Sequence, residues 1–251
     1  MKKKIIQIIK PVEIRLNKFI ANAGICSRRD ADKLILSGKI SVNDRVVQVL
    51  GTKVMATDKI TYLKKIIQSE KLQYVLLNKP KDFITTTHDP QNRRTVMTLV
   101  KQACVERIYP VGRLDRYTTG LLLLTNDGDL AKKLTHPKYE IKKVYQLKLD
   151  RPITEAHFNE ILAGTRLDDG LALIDQLAIL TEDRKSLGIE IHIGKNRIVR
   201  RIFEKYGYEV LKLDRVMFGG LTKQNLSRGK WRFLNPKEVE NLKGKFSMRM
   251  K

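Results

Sequence analysis

The sequence predicts an α+β protein of two domains: a small N-terminal helix–helix–hairpin unit, then a larger domain whose mostly antiparallel mixed sheet is flanked by helices. Three observations predict it. Two short stretches of helical periodicity near the start are followed by short alternating runs. Leu121-Leu122-Leu123-Leu124 is apolar without alternation, as in a short strand buried on both faces, whereas Lys143–Leu149 alternates strictly, as in a half-buried strand. Strands separated by short turns and occasional helices, without repeated helical crossovers, favour an antiparallel sheet.

Taken in order, residues 1–12 are a basic arm whose apolar run is broken by Gln7 and Lys10; it has no small-residue cleavage site. From Glu13 the pattern is helical, with Leu16, Phe19, Ile20 and Ala23 on one face and Gly24 as the stop. Ser27 can cap a second helix whose buried stripe is Ala31, Leu34 and Ile35. Ile40 to Val47 turns at Asn43-Asp44, completing a unit over 13–59. Residues 60–72 look like a charged link. The larger domain, 73–242, opens with Tyr74–Leu77 as a strand closed by Asn78-Lys79-Pro80. Phe83 to Thr87 is its expected partner, and a short helix is expected over 95–100. Asp127 caps a helix ending before Pro137, and Thr154 caps another that Gly164 ends. Strands near 171–180 and 187–193 precede a helix that Gly194-Lys195-Asn196-Arg197 opens. Strands near 209–218 and 230–234, a helix from Pro236 and a basic tail over 243–251 finish the chain.

Composition narrows the function. Lys+Arg of 50 against Asp+Glu of 27 gives a formal net charge of +23 in 251 residues. Such an excess points to a polyanionic partner, because cationic side chains release counterions condensed on phosphates. A membrane surface is the other candidate for such charge, but no long basic amphipathic helix stands out, and no segment approaches membrane-spanning length. Cys26 and Cys104 show no spacing signature and the four histidines no zinc-ligand cluster, so neither a disulfide framework nor a metal site is expected. A reducing, cytoplasmic setting fits. The motifs GxGxxG, P-loop, HExxH and GxSxG are absent, which removes support for the commonest cofactor and hydrolase classes.

Chemistry concentrates in residues 111–131. Asp115 sits between Arg113 and Arg116, before Thr118-Thr119-Gly120, at the mouth of the apolar strand. A carboxylate there must be paired or neutral. Arg197, Arg200 and Arg201 lie off the apolar stripe of their helix, and Lys195 and Arg197 at its start suit an anion better than they suit folding.

The stretch IRLNKFIANAGICSRRDADKLILSGKISVNDRVV resembles the small RNA-binding domain named after the fourth protein of the small ribosomal subunit. That resemblance makes Arg15, Lys18, Arg28, Arg29 and Lys33 candidates for RNA contact. The series GRLDRYTTGLLLLTNDG, KVYQL and GKNRIVRRIF, following that module, resembles the RsuA/RluB/RluE/RluF family of ribosomal RNA pseudouridine synthases, more closely its large-subunit branch. The resemblance implies isomerisation of a flipped-out uridine without cofactor or metal. It implies Asp115 as the catalytic aspartate, Tyr145 as the ring that stacks on the base, and Arg200 as the cation paired with Asp115. Arg113, Lys195, Arg197 and Arg201 join the expected RNA-binding residues. The implied partner is ribosomal RNA or an assembling subunit, met by a monomer with no obligate protein partner. One departure is local: the family has glycine where this chain has Asp82, after Lys79-Pro80-Lys81.

Other readings stay open at this point. One is a non-catalytic RNA-binding or ribosome-assembly protein; another is the same chemistry on small-subunit or transfer RNA. A generic DNA-binding protein lacks a helix-turn-helix or zinc signature.

Overall fold

The computed structural model describes residues 13–247. The arm expected over 1–12 and residues 248–251 of the expected tail lie outside the described residues. The chain divides into two compact units between Lys71 and Leu72.

The first unit contains β1 (Ile14–Arg15), α1 (Leu16–Asn22), α2 (Arg28–Leu36), β2 (Ile40–Val42), β3 (Arg45–Val46), β4 (Lys53–Val54), β5 (Ile60–Tyr62) and β6 (Lys65–Ile66). Leu16, Ile20, Ala31, Ile35, Ile40, Val54 and Ile60 form its core. Ser27 caps α2, its hydroxyl accepting from the Asp30 N–H. Two expectations are corrected here. Helix does not begin at Glu13: Ile14 and Arg15 are extended and pair antiparallel with Val54 and Lys53. The charged link expected over 60–72 is in its first half a hairpin, β5–β6. It joins β2 in a sheet ordered β3-β2-β5-β6, and Ile60 is 1% exposed.

The second unit runs β7 (Tyr74–Lys79), α3 (Val96–Leu99), β8 (Tyr109–Pro110), β9 (Thr119–Thr125), α4 (Gly128–Thr135), β10 (Lys143–Leu149), α5 (Glu155–Ala163), β11 (Thr165–Leu167), β12 (Gly170–Ala172), β13 (Gln176–Ile179), β14 (Ser186–Ile191), α6 (Ile198–Lys205), β15 (Val210–Phe218), β16 (Leu221–Thr222), β17 (Trp231–Phe233) and α7 (Pro236–Ser247). The main sheet is ordered β13-β14-β10-β15-β9-β7-β17, and β15–β9 is the parallel pair within it. Helices cover both faces, which explains the unbroken apolar run in β9. Leu122 and Leu124 pack with α5 and α6 residues such as Ile161, Ile202 and Phe203. Leu121 and Leu123 pack with Leu130 and Leu134 of α4 and with Leu242 and Phe246 of α7.

Two further corrections concern this unit. Phe83 to Thr87 is not a partner strand for β7; among the described residues it contributes one bridge, Ile84 to Thr95. Asp82 enters the left-handed region there, with φ of 66°, and Thr85 is tied to Leu114 instead of to a strand. The tail expected from Lys243 is helical through Ser247, because Phe246, 4% exposed, is part of the core beneath α7.

Candidate active site

Asp115 lies in the loop entering β9, and one buried cation organises that loop. Lys79, at the end of β7, is fully buried. Its ammonium reaches the carbonyl oxygens of Thr118 at 2.7 Å, Asp115 at 3.0 Å, Arg116 at 3.1 Å and Pro80 at 3.2 Å. Three protons thus serve four carbonyls, a clamp on the backbone that carries the carboxylate. Burial pulls the Lys79 pKa down to about 8 against the charges of Asp115 and Asp82, which raise it. The loop is also braced from outside. Asp82 N–H donates to the Arg116 carbonyl at 3.0 Å, and Arg116 Nε donates to Asp82 Oδ1 at 3.1 Å. Thr85 Oγ1 donates to the Leu114 carbonyl at 2.8 Å. Asp82 therefore adopts the backbone that a glycine would supply and adds an ion pair to the turn beside Asp115.

Beyond the loop the chain must pass close to β15. Gly120 has φ of 109°, and a Cβ there would lie 2.3 Å from the Arg215 carbonyl oxygen. Only glycine allows β9 and β15 to pair at Thr119–Asp214 and Gly120–Arg215.

Asp115 faces a small pocket lined also by Arg113, Thr118, Tyr145, Lys195 and Arg197. Tyr145, 8% exposed, reaches it from β10, opposite Arg215 on β15 and next to a register shift between these strands. Such irregularities commonly re-aim side chains beside active sites. Thr118 Oγ1 is buried in this wall without a hydrogen-bond partner. Arg197 takes a left-handed backbone, φ of 47°, at the start of α6, and its guanidinium donates to Glu204 at 3.0 Å.

One expected role is corrected. Arg200 is not paired directly with Asp115. Its Nη1 donates to the Val210 carbonyl at 2.5 Å, and no ion pair links it to Asp115 among the described residues. Burial, then the neighbouring Arg197, lowers the Arg200 pKa, while the charge of Asp115 raises it, so the two groups act on each other at longer range. Arg201 donates to both carboxylate oxygens of Asp169, at 3.0 and 2.7 Å, holding that acid down to about 2. Lys195 joins them, donating to the Asp169 carbonyl at 2.6 Å while still lining the pocket. In the first unit Arg15, Arg28, Arg29 and Lys33 are exposed and Lys18 is half-buried.

Sequence reasoning missed Lys79 as the residue that holds the Asp115 loop. Its signal was a lysine soon after the apolar run Tyr74–Leu77. Among the described residues no group of three or more His, Cys, Asp or Glu could hold a metal, and no helix is long and apolar enough to cross a membrane.

A carboxylate and an aromatic ring share a pocket walled by cations, in a chain that also carries a basic helix–helix–hairpin unit, features that suit an enzyme working on a polyanion. Comparison with known proteins specifies it. The family model described as RNA pseudouridylate synthase matches residues 73–205, and that described as S4 domain matches residues 14–60. The chain is 42% identical over 233 residues to the ribosomal large subunit pseudouridine synthase B of Bacillus subtilis, spanning 91% of this chain and 95% of that one. It is 39% identical over 235 residues to an uncharacterized RNA pseudouridine synthase of Aquifex aeolicus, spanning 92% and 94%. A crystal structure of pseudouridylate synthase shares the fold with a TM-score of 0.65 at 28% identity, over 91% of this chain and 99% of that one. The chain belongs to the RNA pseudouridylate synthase family, and it is a pseudouridine synthase that acts on RNA.

Proposed function

We propose that the protein converts one uridine of large-subunit ribosomal RNA to pseudouridine, with Asp115 as the catalytic group. The reaction is an isomerisation: the bond from N1 of uracil to C1′ of ribose breaks, the base turns, C5 bonds to C1′, and the proton lost from C5 is balanced by one gained at N1. The observation that carries the reading is the meeting of Asp115 and Tyr145 in one pocket, rimmed by Arg113, Lys195 and Arg197. A uridine turned out of its stack loses base contacts, and the ring of Tyr145 replaces them. Asp115 attacks the ribose or the base, or assists glycosidic cleavage, from a backbone that Lys79 fixes. Arg200 supports the ionised carboxylate by its nearby positive charge, a weaker hold than two direct hydrogen bonds. Arg15, Lys18, Arg28, Arg29 and Lys33 supply phosphate contacts from the first unit, and Arg113 and Lys195 supply them at the pocket. The substrate is ribosomal RNA or an assembling subunit in the cytoplasm, met by a monomer.

Large-subunit RNA is favoured by the Bacillus subtilis relative, whose name specifies that subunit. The test is incubation of the purified full chain with separate transcripts of large-subunit, small-subunit and transfer RNA, followed by pseudouridine mapping. A single new pseudouridine in the large-subunit transcript is the expected result. Modification of either other RNA alone would overturn the assignment.

A further inference from the structure

A second, larger pocket opens beside the one that holds Asp115. The two share Arg113, Tyr145, Lys195 and Ile198. Two cations from adjacent strands line it: Lys143 of β10 and Arg215 of β15. Arg215 is 3% exposed. Its Nε donates to the Leu121 carbonyl at 2.7 Å, its guanidinium lies 4.6 Å from the centroid of the Phe218 ring, and its Nη2 has no hydrogen-bond partner. Lys143 donates to the carbonyls of Ile141 and His192 at 2.8 and 2.6 Å, which leaves one of its three protons.

This is an expensive arrangement for folding alone. Burial and then the charge of Arg215 pull the Lys143 pKa down to about 8. Asp175 is the acid whose charge reaches Lys143, and its Oδ1 is 2.7 Å from His192 Nδ1. No carboxylate bridges Lys143 and Arg215 among the described residues. Two desolvated cations side by side, one with an orphaned donor, are a site waiting for an anion.

We infer that this pocket is an anion subsite that binds one phosphodiester of the RNA strand next to the flipped uridine, through Arg215 and Lys143. The inference rests on the reading of the neighbouring pocket as the uridine site. A phosphodiester fits better than a base carbonyl because it brings a full negative charge and two free oxygens, enough for both cations. Arg113 and Lys195, common to the two pockets, carry the backbone from one to the other. Anchoring that phosphate keeps the strand in place while the freed base turns, which holds ribose and base within bonding reach.

The test measures equilibrium binding of the full chain to a large-subunit ribosomal RNA transcript across a salt series. Every protein carries Asp115→Asn, so turnover does not alter the RNA. Lys143→Met is expected to weaken binding about tenfold and to reduce the slope of log affinity against log salt by about 0.7, the value for one phosphate contact on a single strand. Lys143→Arg is expected to keep the slope. If Lys143→Met melts well below its parent, Lys143→Gln, which retains donors for the two carbonyls without the charge, carries the test. An unchanged slope in a folded neutral variant overturns the inference. So does weaker binding at unchanged slope, which reports lost packing instead of a lost phosphate. Failure of the uridine reading shows separately, as pseudouridine formation that survives Asp115→Asn in the modification assay.

Discussion

At the scale of residues, the site depends on what holds Asp115 as much as on Asp115 itself. Lys79→Met would leave up to four carbonyls around an apolar side chain with no donor. Unsatisfied buried acceptors cost about 1–3 kcal/mol each, though the loop relaxes to regain some bonds. The expected result is a loss of about 3 kcal/mol in denaturant unfolding together with a fall of at least tenfold in kcat; a stable, fully active variant would refute the clamp. Asp115 and Tyr145, which line one pocket, could be singled out in the sequence because each lies in a distinctive segment, GRLDRYTTG and KVYQL. Lys79 could not, because its role depends chiefly on three carbonyls more than thirty positions away that only the fold assembles. Arg200 was misjudged in detail for a related reason: spacing places it on α6 but cannot foresee that the Val210 carbonyl takes its guanidinium. Asp82 was legible as a departure, and its φ of 66° shows how the turn survives without glycine.

At the scale of elements, hairpins separate what the sequence disclosed from what it did not. β2–β3 turns on Asn43-Asp44, with φ of 50° and 65°, residue types that tolerate the left-handed region, and was expected. β5–β6 turns on Leu63-Lys64 with φ of 48° and 64°, the same geometry carried by residues that advertise no turn. That is why residues 60–67 resembled a link. Burial supports the strand: Ile60 is 1% exposed and packs in the core of the first unit. Ile60→Ala is expected to cost about 2–5 kcal/mol and, in so small a core, to unfold that unit. Hydrogen exchange of the full chain should then show loss of protection across α1 and α2 with β7 and β9 still protected. Retained protection in α1 and α2 would return residues 60–67 to the status of a linker. The strand β9 was read correctly for the opposite reason, since no turn chemistry hides it and both faces are covered.

At the scale of the whole molecule, charge and sheet order work together. The net charge of +23 suits a polyanion, and one half-buried acid, Asp214, helps to fasten the sheet. Asp214 on β15 accepts from Thr119 of β9 at 2.7 Å and from Arg228 at 2.8 Å, and it pairs with Lys223. Burial raises its pKa, but the hydrogen bonds from Arg228, Lys223 and Thr119 outweigh that and hold it at about 2. A folded-state pKa below the ordinary 3.8 means that the unfolded chain binds the proton more readily. The contribution is therefore full above about pH 4 and disappears as pH falls towards 2. Asp214→Asn should lower stability at neutral pH by about 2 kcal/mol and flatten the acid limb of the stability curve in that window. An unchanged acid limb would show that Asp214 does not fasten β9 to β15.

The central claim, that Asp115 acts on a uridine of ribosomal RNA, is tested most directly in cells. Pseudouridines are mapped in ribosomal RNA from cells lacking the protein, complemented with wild type or with Asp115→Asn. The account predicts one missing pseudouridine in large-subunit RNA, restored by wild type and not by a variant whose rate is lowered by at least about a hundredfold. Restoration by Asp115→Asn would contradict it.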